Sequence, residues 1–290
     1  MSGLRLTCDR ANGLIRAAVW SGKMLLDLYV NRIENPDLSG AVVRGKVVRV
    51  LPGGKGGWIE CGLKEKIYCE SAVTLSAGSL CTLRIQSTLG QGKAWPGLLL
   101  DSAPADGLGV LTPPPLPWQT ALANIDPQTP LTIHFKARED YEAFEPAAHR
   151  SAQVEKEAVH PELDEILDAL TLPTVPLSGG ASLVIEPTQA LVAIDVNAGE
   201  KGNPTEVNFL ALREAARQIR LRNLSGLIVI DALKMKNRAD KAKALNVLTR
   251  ATASDPAGVQ VYEMTKLGLI ELTRTRRGPP LGAFIKEEGL

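Results

Sequence analysis

Two apolar runs that each lead into an aspartate, with one amphipathic stretch between them, constrain the fold of this chain more than any other feature. The runs are Val192-Ala193-Ile194-Asp195-Val196-Asn197 and Leu227-Ile228-Val229-Ile230-Asp231, and both read as strands. Between them, residues 206–222 place Leu212, Ala215, Ala216 and Ile219 on one face at helical spacing, and Gly226 follows as a stop. Residues 182–185 form a further strand ahead of Pro187, residues 236–252 a second helix, and residues 258–263 and 267–274 two more strands. This strand–helix–strand–helix order predicts a layered α/β unit whose first crossover joins parallel strands.

A parallel crossover brings Asp195 and Asp231 out at the carboxyl edge of the sheet, where open α/β sheets bind ligands. Strand alternation puts Asn197 on the same face as Asp195. Two carboxylates a few ångströms apart repel unless a cation sits between them, and oxygen donors of this kind suit a hard divalent ion that also takes substrate phosphate. Either aspartate alone is equally well read as a strand-end residue capping a turn. Two at matched positions, with Asn197 beside one, favour a site. Arg213, Arg217 and Arg220 share the helix face opposite the apolar stripe, Arg222 lies just beyond, and Arg274 ends the last strand. Arginine suits bidentate phosphate contact, although a solvated helix face accounts for such a run equally well.

The amino-terminal half reads differently. Residues 5–31 are strand-like with a Ser21-Gly22-Lys23 turn, an opening hairpin that is not a complete domain by itself. Residues 40–100 hold about five short β-branched segments between glycine-rich turns, the pattern of a small closed barrel of the OB type. Trp58 and Tyr68 stand out in a chain that is only 4% aromatic, and Lys93 sits in the adjoining turn. OB folds stack single-stranded bases on strand aromatics above a positive groove; a core position is the alternative for either ring. Residues 103–117, with Pro113, Pro114 and Pro115 in succession, read as a linker, followed by a small α/β unit with a strand at 131–135 and a helix at 161–170.

The 33 Lys and Arg against 32 Asp and Glu give a net charge of +1, so any polyanion site is a local patch. Cys8, Cys61, Cys69 and Cys81 lack zinc-site spacing and read as reduced thiols. With no signal-like amino terminus and no apolar stretch near the roughly 18 residues of a membrane span, a soluble cytoplasmic protein without membrane contact is expected.

The stretches 178–199, 216–231 and 267–274 closely resemble the catalytic core of the ribonuclease E/G family, in the family's order and over about a third of the chain. The resemblance implies an α+β, α/β multi-subdomain protein. Its parts are a ribonuclease H-like scaffold (1–36, resuming with a linker at 104–177), an inserted OB-fold RNA-binding barrel (37–103) and a DNase I-like catalytic subdomain (178–290). It further implies that Asp195 and Asp231 are Mg²⁺ ligands and that Asn197 helps orient the metal site or the scissile phosphate. Trp58, Tyr68 and Lys93 match positions that line the RNA-binding face. The implied reaction is hydrolysis of single-stranded, AU-rich RNA in RNA processing or decay, leaving 5′-phosphate and 3′-hydroxyl ends. Mn²⁺ accepts the same ligands.

Several positions depart from the family pattern. Lys234 stands where a second acid is usual, and Gln189 where a glutamate is common. The Arg-Thr motif and the arginine near the position of Gly258 that sense an RNA 5′-monophosphate are absent, so activation by a 5′ end is not expected. The chain ends at Leu290, ahead of the family's Cys-Pro-x-Cys zinc link and small carboxyl-terminal domain. No zinc is expected, and a monomer or weak dimer is. A degenerate relative that binds RNA without cutting it is the competing reading, favoured by Lys234 and Gln189 and opposed by the intact aspartates.

Overall fold

The segment Leu14–Ser21 is buried at seven of its eight positions, a pattern that belongs to a strand covered on both faces. The computed structural model describes residues 3–71, 73–88, 93–100, 107–144, 151–154, 162–199 and 203–285. In it this segment is β2, between β1 (Leu4–Ala11) and β3 (Met24–Arg32). The chain then enters a barrel of β4 (Val42–Val50), β5 (Gly56–Glu60), β6 (Ile67–Glu70), β7 (Leu80–Ile85) and β8 (Trp95–Leu99), with β9 (Gly109–Thr112) added to β4. Helix α1 (Pro117–Ala123), β10 (Leu131–Phe135), α2 (Arg138–Glu142) and β11 (Ser151–Val154) follow.

The first sheet has the order β11-β10-β1-β2-β3, so the opening hairpins are completed by strands from beyond the barrel. One face packs Leu6, Cys8, Val19, Ile133 and Phe135 against Trp118 of α1. The other packs Trp20, Leu25 and Leu28 against Leu163, Leu167 and Leu170 of α3 (Glu162–Thr171). These two covers explain why β2 is apolar without alternation.

The barrel closes as β4-β5-β6-β8-β7 and back to β4, around Val43, Val47, Ile59, Ile67, Leu83 and Ile85. At Gly45 a Cβ would lie 2.4 Å from Cys61 Sγ and 2.7 Å from the Glu60 carbonyl oxygen, so the closure needs glycine there. The expected linker at 103–117 is corrected in part. Residues 109–112 pair with β4, and only the prolines after them end the ladder, because proline lacks the N–H a strand donates. Residues 101–106 lie outside the described residues.

The third sheet runs β12-β13-β14-β15-β17-β16, from β12 (Thr174–Pro176), β13 (Ser182–Pro187), β14 (Val192–Asn197), β15 (Gly226–Asp231), β16 (Val259–Met264) and β17 (Leu269–Arg274). Helix α4 (Pro204–Leu221) makes the crossover between β14 and β15, which pair in parallel as expected; α5 (Arg238–Thr252) connects β15 to β16, and α6 (Gly282–Ile285) comes last. Local chemistry sets the bounds of α4. Asn203 caps it by accepting from the Thr205 N–H at 3.0 Å, with Pro204 in the first turn. At the other end Asn223 adopts φ 48° and Leu224 N–H returns to the Ile219 carbonyl, a left-handed helix stop. Leu183, Ile185, Ile194, Ile228, Ile230 and Leu272 pack under α4 and α5, while the alternate residues of these strands face away from the helices.

Candidate functional site

The parallel register pairs Asp195 directly with Asp231. Neighbouring strands lie about 4.7–4.9 Å apart, so the two carboxylates leave the sheet side by side on the face that the helices do not cover. Both are exposed, as is Asn197, whose Nδ2 donates to Asp195 Oδ2 at 3.1 Å. That hydrogen bond fixes Oδ2 of the Asp195 carboxylate. Among the described residues no cationic side chain pairs with either aspartate. Like charges on adjacent strand positions destabilise a sheet, so this arrangement costs stability and returns none by itself.

Other groups at the same edge have the sign that the aspartates lack. The amino-terminal ends of α4 and α5 both lie there, joined by Thr205 Oγ1 donating to Asp240 Oδ2 at 3.4 Å, and helix amino termini carry partial positive charge. The segment after β14 presses on the Gly179-Gly180 turn; a Cβ on Gly199, whose φ is 69°, would lie 2.6 Å from the Gly180 carbonyl oxygen. Lys234, Lys236 and Arg238 follow β15 and are exposed.

The donor set fits a hard divalent cation that keeps most of its water: two carboxylates, one amide, and among the described residues no group of three or more His, Cys, Asp or Glu. A softer ion such as structural zinc, which wants four nitrogen or sulfur ligands, has no such set here.

The arginines separate into two kinds. Arg213 is exposed, and Arg217 pairs with Glu214 one helical turn away at 2.8 Å. The remaining three are bound within the fold, Arg222 and Arg274 buried and Arg220 part-buried. Arg220 bonds Asp27 of β3 at 2.7 Å and the Ser254 carbonyl at 3.0 Å. Burial would lower its affinity for a proton, but the hydrogen bond and charge of Asp27 outweigh this and raise it. Arg222 donates to Gln218 at 2.6 Å and to the Leu172 carbonyl at 2.7 Å, and burial lowers its pKa from the usual guanidinium value. Arg274 is nearly inaccessible and grips Asp255 with two nitrogens at 2.8 and 3.2 Å, Asn223 at 2.8 Å and the Leu224 carbonyl at 3.1 Å.

Distance separates these three from the aspartates. Arg274 pairs with Gly226, five residues from Asp231 along β15, or about 17 Å. Asn208 of α4 bonds Leu233 near the aspartate edge, and Arg220 lies twelve residues further along the helix, about 18 Å away. Arg220 and Arg274 instead line a cavity of about 130 Å³ with Asp27, Tyr29, Asn124 and Arg277, at the junction of the first and third sheets. This cavity is therefore not at the paired aspartates, which stand on an open sheet face.

On the barrel, Trp58 and Tyr68 are in register on β5 and β6. Their ring centroids lie 5.3 Å apart at 55°, and both rings are half-exposed on the outer surface rather than in the core. The Arg49 guanidinium lies 4.8 Å from the Trp58 ring centroid, a cation–π contact that the sequence pattern left unremarked. Tyr68 donates to Glu70 at 3.2 Å. Lys93 is exposed just ahead of β8, whose Pro96 lies in register with Tyr68.

The closed barrel, the parallel crossover and the paired carboxylates at its end define a mixed α/β protein with an oxygen-donor site on an open sheet. Residues 134–277 match the Ribonuclease E/G family. It is 40% identical over 135 residues to the ribonuclease E/G-like chloroplastic protein of Arabidopsis thaliana. It is 42% identical over 113 residues to ribonuclease E of Nostoc sp. and 36% identical over 130 residues to ribonuclease E of Escherichia coli. These alignments cover 43%, 37% and 42% of the chain and 14%, 16% and 12% of the respective relatives, so the chain matches a small fraction of their length. Among the described residues no helix is long and apolar enough to cross a membrane.

Proposed function

We propose that the chain is an endoribonuclease, dependent on Mg²⁺ or Mn²⁺, that hydrolyses single-stranded RNA at the Asp195–Asp231 edge. The observation that carries this reading is the in-register pairing of two exposed aspartates with no cationic side chain among the described residues to neutralise them. In this reading residues 1–36 and 104–177 are the ribonuclease H-like scaffold, 37–103 the RNA-binding barrel and 178–290 the DNase I-like catalytic subdomain. Asp195 and Asp231 hold the ion, and the Asn197 amide orients the Asp195 carboxylate through its bond to Oδ2. A divalent cation bound there supplies Lewis-acid stabilisation of the phosphoryl group and activation of the attacking water. Water adds to phosphorus and the 3′ oxygen leaves, giving 5′-phosphate and 3′-hydroxyl ends; AU-rich, unpaired RNA is the proposed substrate in RNA processing or decay.

The barrel holds the strand. Trp58 and Tyr68 offer π faces to unpaired bases, with Arg49 and Lys93 near the backbone path. Trp58→Ala is expected to weaken binding of a short single-stranded RNA by about 1–3 kcal/mol and to spare binding of a duplex, whose bases are already stacked. Fluorescence anisotropy on both RNAs checks this, and equal losses would remove the stacking role. The function itself is tested by a time course with 5′-labelled AU-rich RNA in Mg²⁺, Mn²⁺ or EDTA. Discrete internal cuts that need the cation are expected. Stable binding without any cut would replace the nuclease with an RNA-binding relative of the same fold.

A further inference from the structure

We propose that Lys234 is a phosphate-contact residue of the aspartate edge, and that buried Asn208 holds it in position. The inference deepens the reading of this edge as an RNA site and rests on it. Lys234 lies three residues beyond Asp231 in the segment that leaves β15, is exposed, and has no acidic partner among the described residues. Its two neighbours are anchored. The Asn208 side chain is fully buried; its Nδ2 donates to the Leu233 carbonyl at 2.8 Å, and its Oδ1 accepts from the Leu233 N–H at 2.9 Å. On the other side Met235 is buried in the core beneath the sheet. A loop with both backbone groups of Leu233 tied and Met235 packed gives the intervening residue a fixed starting point, so Lys234 loses little freedom on making a contact.

The charges favour that contact. Asp195 and Asp231 carry two negative charges, which one divalent ion balances. An incoming phosphodiester adds one more, and the Lys234 ammonium is a point charge suited to a phosphate oxygen. Three residues of extended chain span at most about 10 Å, and the flexible four-carbon stem of lysine covers most of the remaining gap. Lys236 and Arg238 are further from Asp231 along the chain, and Arg238 already belongs to α5.

The test measures binding, so its outcome is independent of cleavage. A short single-stranded AU-rich RNA is titrated with the full chain in Ca²⁺, between about 50 and 200 mM salt, with RNA integrity checked on a denaturing gel. Loss of one phosphate contact lowers the slope of log K against log salt by about 0.7 and weakens binding about fivefold near 0.1 M salt. Lys234→Met is expected to show this loss, and Lys23→Met, on the exposed β2–β3 turn, to show none. Asn208→Ala should lower the slope by the same amount, and the double variant should fall no further than either single one, because the two act on one contact. A wild-type slope in Lys234→Met would overturn the proposal. A lowered slope in Lys234→Met with a wild-type slope in folded Asn208→Ala would overturn the positioning role of Asn208. Because Lys234 is exposed, Lys234→Met folds whatever becomes of Asn208→Ala. A wild type that binds without cutting defeats the nuclease reading and still decides this one.

Discussion

Asp231→Asn and Asp195→Asn are each expected to reduce RNA cleavage by about a thousandfold or more while leaving RNA affinity near that of the wild type. Each substitution keeps the side-chain volume and removes one of the two anionic donors that stand in register at the end of the parallel pair. A cation in such a site contributes several kcal/mol at the reacting phosphate, and each 1.36 kcal/mol is tenfold in rate. The same variants should be no less stable than the wild type in urea unfolding, because removing one of two adjacent like charges relieves repulsion. The two readouts together discriminate. A turn-capping aspartate would lose stability on substitution and keep its rate, whereas the site described above loses rate and keeps stability. Parallel loss of both would place these residues in the scaffold.

Arg274→Met is expected to do the reverse, lowering stability by about 3–5 kcal/mol without changing the salt dependence of RNA binding. The Arg274–Asp255 pair is almost completely buried, with side-chain exposures of 5% and 4%, and Asn223 and the Leu224 carbonyl complete its shell. Truncating the arginine leaves Asp255 as a buried charge without its partner, which is the costly outcome for an internal ion pair. Urea unfolding of the variant beside exposed Arg213→Met, which should lie within about 0.5 kcal/mol of wild type, gives the comparison. A lower salt slope for Arg274→Met with unchanged stability would return this arginine to the RNA surface.

The contrast between Asp231 and Arg274 shows where sequence reasoning carries and where it stops. Both were singled out by residue type and position beside an apolar strand, and the type was informative for each. An aspartate that ends a buried parallel strand emerges at a sheet edge whatever its neighbours are. An arginine at a strand end can equally reach solvent or turn inward, and Arg274 turns to Asp255, nineteen residues earlier. Arg220 is the stronger case, since its partner Asp27 lies 193 residues away in the first sheet; no local pattern encodes that pairing. The β9 strand was hidden for a related reason. Its four residues sit in Pro/Gly-rich surroundings and become a strand only because β4 is there to receive them.

By itself the sequence determined what depends on short-range physics. The period of the apolar positions made β14, α4 and β15, Gly226 marked the stop before β15, the glycine-rich turns spaced the barrel strands, and the crossover rule fixed the parallel sense of the central pair. Only the tertiary structure decided what depends on partners far apart in the chain. It set Asp195 opposite Asp231 rather than one residue out of register, placed Arg49 against Trp58, clamped Leu233 with Asn208 beside Lys234, tied Arg220 to Asp27, and withdrew Arg222 and Arg274 into the interior. Periodicity and capping act over a few residues and leave a mark in the sequence, whereas register and ion pairing arise when distant segments meet, and a single chain written in one dimension does not record which segments those are.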